Sequence, residues 1–169
     1  MEKTNDLHAL IAAAQADAKI HEARLNAAAT SQGAKAHAQD QEMRAATAGL
    51  EKAAVDLFGL FEARMQHHFK RGPFSRKLRA ALLAAKQPDL ADRIHKYYLA
   101  VNVLKHGTGA SYRELLAAKA TPFGVLAVAD VVEDETRTTS GLIDVSTHGF
   151  IDGLAGALLE AQTFLESNA

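Results

Sequence analysis

The chain has 169 residues, enough for one compact domain and few for two. Hydrophobic residues make up 48% of it but aromatics only 6%, with no Trp, so the core has to be built from Ala, Leu and Val. A net charge of −1 excludes a global pull toward nucleic acid or anionic membrane and leaves only local phosphate binding, while the lack of Cys excludes disulfides, zinc ribbons and thiol catalysis.

The first stretch, "MEKTNDLHALIAAAQ", has neither a basic leader region nor a clear cleavage site. No run reaches the roughly 18 apolar residues of a membrane span. The expectation is a soluble, cytoplasmic protein with no membrane partner. Residues 5 to 31 are expected to be helical: Asn5 or Asp6 can cap the start, Leu7, Leu10, Ile11 and Ala14 follow helical spacing, and alanine dominates. "TSQG" at 30 to 33 marks a break, with Gly33 suited to a C-terminal cap. A second helix is expected over 35 to 69. Its later half carries a stripe of Leu50, Ala54, Leu57, Phe58, Phe61, Met65 and Phe69 that reads as core. Its earlier, polar half either protrudes or pairs with the first helix as a hairpin.

Gly72 and Pro73 break that helix, and a short basic helix follows over 75 to 86, with Arg76, Lys77, Arg79 and Lys86. Pro88 suits the first turn of the next helix, which runs to about 106 and buries Leu90, Ile94, Tyr97, Val101 and Leu104. Gly107 ends it, in a left-handed conformation. "GASYREL" opens another short helix, with Ser111 and Glu114 spaced as a capping box. Residues 123 to 146 hold two β-rich runs, "VLAVADVV" and "GLIDV", around "EDETRTTSG", and are expected to form a small hairpin. A last helix starts near Ser146 or Thr147, runs to about 166, and buries Phe150, Leu154, Ala157, Leu158, Ala161 and Leu165. The fold class expected is mainly α: an up-and-down helical bundle with a long N-terminal helical hairpin and a small β-hairpin appendage. The chain divides into an Ala-rich N-terminal arm, 1–48, and a helical bundle, 49–169.

Chemistry concentrates in "LAVNVLKHGTG", residues 99 to 109. Asn102 and His106 stand four apart and share a helix face, and His95 and Tyr98 fall close to the same line. This polar stripe borders the apolar one, which places Asn102 and His106 at the margin of the core. Gly107 and Gly109 leave room beside the ring. The competing structural reading has His106 bonding a carbonyl at the helix end and Asn102 tying two helices together. Adjacent His67 and His68 are expected to point about 100° apart and to be solvated. Asp92 and His95 are a weak metal pair, and no His has a Glu three positions earlier, so a di-iron bundle is not expected. Neither a metal nor a cofactor is expected.

"DLFGLFEARMQHHF" (56–69), "DLADRIHKYYLAVNVLKHGTGASYREL" (89–115) and the final helix after "LIDV" together resemble the HEPN superfamily of small helical domains. The resemblance covers roughly residues 50 to 166 and rests on "NVLKHG". It implies Asn102 at the family's polar position and His106 as its motif histidine, which acts in proton transfer in members that cut RNA. The family's arginine, which steadies the phosphate, falls here at Leu99, Ala100 or Val101. These side chains can supply no charged donor. Lys105, Arg113 or Arg93 are the candidate substitutes for the arginine, none at the motif spacing, and Lys105, Arg113 and His95 are the candidate binding residues. With its arginine missing, the resemblance implies a HEPN-like protein that binds or regulates without catalysis, as a homodimer, with RNA or a nucleotide as candidate partner. A metal-independent endoribonuclease of toxin or defence type using His106 and Asn102 is one alternative. A structural interaction protein docking through residues 1–48 is the other.

Overall fold

A computed structural model describes residues 2–30, 36–127, 140–146 and 149–168. The expected cap at Gly33, the "EDETRTTSG" segment as far as residue 139 and a helix start at Thr147 lie outside the described residues. The elements run α1 (Glu2–Thr30), α2 (Ala36–Met65), a 3-10 turn (Gln66–His68), α3 (Phe74–Ala84), α4 (Pro88–His106), α5 (Ala110–Ala117), β1 (Gly124–Val125), β2 (Ile143–Asp144) and α6 (Phe150–Ser167). The fold is mainly α, with a small two-stranded antiparallel sheet pairing Gly124 with Asp144 and Val125 with Ile143. The β-rich runs are much longer than these two-residue strands.

α1 and α2 form an antiparallel hairpin, so the polar half of α2 pairs with α1 and does not protrude. Its register shows in Asp6–Arg64 at 2.6 Å and Arg24–Glu42 at 2.7 Å. Leu7, Ile11, Ala18 and Leu25 bury at four- and seven-residue steps against Ala46, Leu50, Ala54 and Leu57, a seam of small and branched side chains that lets two Ala-rich helices approach closely. Leu7 and Ile11 belong to the same core as the rest of the chain. The division expected at residue 48 falls inside α2.

α6 is packed by α1, α2 and α4. Nine of its residues are buried, including one polar side chain, Gln162. Tyr97 of α4, Phe123 and Phe150 meet in a triangle of tilted and edge-to-face contacts with centroids 5.3 to 5.8 Å apart, and Phe58, Phe61, Phe69 and Phe74 continue the aromatic core under α3. Pro88 occupies the first turn of α4 as expected. α2 ends four residues earlier than expected, at Met65, because the chain tightens there into the 3-10 turn.

Candidate functional site

The end of α4 and the start of α5 enclose an open cleft of about 330 Å³, lined by Tyr98, Asn102, His106, Gly107, Gly109, Ala110 and Ser111. Helical spacing brings Tyr98, Asn102 and His106 to one face of α4, four residues apart. Asn102 and Tyr98 are half-buried, while His106 is exposed. The chain then reverses direction across Gly107 and Gly109. Gly107 caps α4 with its N–H on the Val103 carbonyl at 2.8 Å. Its φ is positive, at 75°, but its ψ of −141° is far from the left-handed helical value expected. That backbone region is open to glycine almost alone. The reversal carries α5 back along α4, where Ser111 meets Asn102 and Glu114 meets His95.

The capping box does not form. Gly109 is the N-cap of α5, no side chain bonds to it, and Ser111 and Glu114 both lie inside the helix. Each side chain instead reaches α4. Asn102 Nδ2 donates to Ser111 Oγ at 3.3 Å, and Glu114 Oε1 pairs with His95 Nε2 at 2.7 Å. The two contacts fix α5 against α4 at both its first and its second turn. The amides of the first α5 turn have no helical acceptor, as at any helix start, and they open next to Ser111. The cleft thus gathers a phenol, an amide, an imidazole and a hydroxyl at the positive end of a helix.

Of the residues expected at the site, Asn102 and His106 line the cleft together. His95 lies outside it, tied to Glu114, with its ring 6.3 Å from that of Tyr98. Lys105 and Arg113 are exposed and line no part of it. Arg93 is held by Glu160 of α6. Asp92 accepts from Lys96 at 2.7 Å, while His95 is paired with Glu114. Among the described residues, no group of three His, Cys, Asp or Glu side chains could hold a metal ion. His67 and His68 do not point apart: in the 3-10 turn their rings stack with centroids 4.2 Å apart. Burial, then the neighbouring His67, lower the His68 pKa below its ordinary value, against an opposing pull from Glu166.

Local spacing offers no signal for Ser111 as a cleft residue or for Glu114 as the partner of His95, since both depend on how α5 folds back on α4. Compared with family models, curated proteins and solved structures, the chain gives no match. No described helix is long and apolar enough to cross a membrane.

Proposed function

We propose that this chain is a HEPN-like helical protein that binds a nucleotide or RNA end in the α4–α5 cleft without cleaving it, and acts as a homodimer. The observation that carries the reading is the composition of the cleft: Tyr98, Asn102, His106 and Ser111 supply hydrogen-bonding groups, and among the described residues no Lys or Arg lines it. Helix-start amides and hydrogen-bonding side chains suit a phosphate in its ground state. RNA cleavage needs more, because negative charge grows on the phosphoryl oxygens as the 2′-oxygen attacks phosphorus. A charged donor there is worth as much as the proton transfer itself, and Lys105 and Arg113 stay outside. The homodimer is implied by the resemblance, in which motif-bearing helices pair across a two-fold axis. Leu116 of α5 and Leu126 beyond β1 add apolar surface, 50% and 39% exposed, for a second copy to cover.

Titration with a mononucleotide is expected to show binding that His106→Ala and Asn102→Ala each weaken, with unchanged circular dichroism. Light scattering is expected to give a dimer at micromolar concentration. Binding indifferent to both substitutions, or a strict monomer, would overturn the reading. Metal-independent cleavage of single-stranded RNA that His106→Ala abolishes would establish the endoribonuclease instead.

A further inference from the structure

The chain segregates its charge. Between Ala63 and Pro88 stand seven of its 19 Lys and Arg residues and not one Asp or Glu. The net charge of −1 therefore balances one basic segment against an acidic remainder. In the fold this segment is the end of α2, the 3-10 turn and α3. Arg64 is paired with Asp6. Lys70, Arg71, Arg76, Lys77, Arg79 and Lys86 are exposed, and among the described residues none of the six has an ion-pair partner.

Helix geometry gathers them. Phe74, Leu78 and Leu82 bury one face of α3. The 100° step per residue then puts Arg76 on the opposite side, with Arg79 and Lys77 flanking it. The Lys77 stem lies over Gly72, 3.0 Å from where a Cβ would stand, so the turn bearing Lys70 and Arg71 adjoins the helix. Just before that turn come the stacked His67 and His68 rings, with His67 exposed.

We propose that this ridge, from His67 through α3 to Lys86, binds the phosphodiester backbone of a single-stranded nucleic acid, with the His67–His68 stack receiving a base. Guanidiniums at Arg71, Arg76 and Arg79 match phosphate oxygens with paired N–H donors. A row of cations beside an aromatic surface is the pairing that single strands use, because their bases are free to stack. A bilayer is disfavoured: an amphipathic helix needs its apolar face to enter lipid, and α3 has its own in the core. The acidic remainder of the surface confines a polyanion to the ridge. The ridge shares no residue with the α4–α5 cleft, so the two sites stand or fall separately.

The test is fluorescence anisotropy of the full chain with labelled oligouridylate and oligothymidylate at several salt concentrations, beside phosphatidylserine vesicles and an acidic peptide. Wild type is expected to bind both strands at low salt. Arg71→Ala/Arg76→Ala/Arg79→Ala should weaken binding by roughly tenfold or more and reduce the salt slope by about 0.7 for each phosphate no longer neutralised. The same triple variant should keep the thermal unfolding of wild type, and any mononucleotide binding wild type shows. His67→Ala should weaken strand binding with the salt slope unchanged. Preference for either strand supports the ridge equally, since the backbone charge is common to both. No strand binding by wild type, equal binding by the triple variant, or vesicles or peptide binding as tightly with the same losses would overturn the proposal. An unaffected His67→Ala would overturn the stacking role.

Discussion

At Gly153 the α6 backbone passes so near Tyr97 of α4 that a Cβ there would overlap the Tyr97 hydroxyl. Tyr97 has little room to yield: it is 3% exposed and wedged against Phe123 and Phe150. Burial also pushes its hydroxyl pKa above the ordinary value, with Arg93 opposing. Gly59 of α2 is a helix-interior glycine of the opposite kind, with nothing within 4 Å of where its Cβ would stand. Gly153→Ala is therefore expected to cost about 1–3 kcal/mol through overpacking. Gly59→Ala should gain about 0.5–1 kcal/mol through helix propensity. Urea unfolding of the two variants would decide it, and equal shifts of the same sign would contradict the packing argument. In the sequence the two glycines look alike, "FGL" and "DGL" within helical stretches. Only the neighbour across the helix interface separates them. The same holds at the cleft: the four-residue spacing of Asn102 and His106 shows in the sequence, whereas Ser111 reads as a cap until α5 is seen folded against α4.

The end of α3 shows the same limit for a whole element. Lys86 N–H bonds to the Leu83 carbonyl and Gln87 N–H to the Leu82 carbonyl, at 3.1 and 2.9 Å. This is the paired closure of a Schellman motif. It puts Lys86 at φ 59°, the only non-glycine with positive φ among the described residues. A left-handed conformation costs a side chain about 1 kcal/mol or more. Lys86→Gly should thus raise stability by up to about 1 kcal/mol, less what glycine's freedom returns to the unfolded chain. Lys86→Val should lower it by about 1 kcal/mol or more, since branching at Cβ makes positive φ worse. Denaturant midpoints would show the order Gly above Lys above Val, and any other order would contradict the assignment. A glycine at 86 would have announced the helix end. Lysine does not, so the sequence places the boundary at 86 while α3 ends at Ala84. The α4 boundary is legible because Pro88 and Gly107 punctuate it, and the stripes of α2, α4 and α6 are legible because apolar side chains recur at helical period.

Across the whole molecule, α1 divides by what it touches. Its first half is part of the bundle: Leu7 and Ile11 are fully buried, Asp6 pairs with Arg64, and Gln15 donates to Asp152 of α6 at 2.9 Å. Farther along, Arg24 meets Glu42 and Gln39 donates to the Ala28 carbonyl, both within the hairpin. Removing residues 1–48 therefore strips an inner layer from the core, leaving the α2 face around Leu57 and Phe61 open to water. Leu7→Ala is expected to cost about 2–5 kcal/mol, the range for a leucine deleted from a closed core, and to lower hydrogen-exchange protection in α2, α4 and α6 together. Leu25 is 8% exposed and sits in the hairpin's outer half. Leu25→Ala should cost less, because a pair of helices alone can close around the vacated space, and its protection losses should be confined to α1 beyond Ala18 and α2 before Leu50. Equal losses everywhere in both variants would mean that the hairpin and bundle unfold as one unit. A 49–169 fragment that unfolds as cooperatively as the full chain would mean that the Leu7–Ile11 layer contributes nothing to the core it lies in.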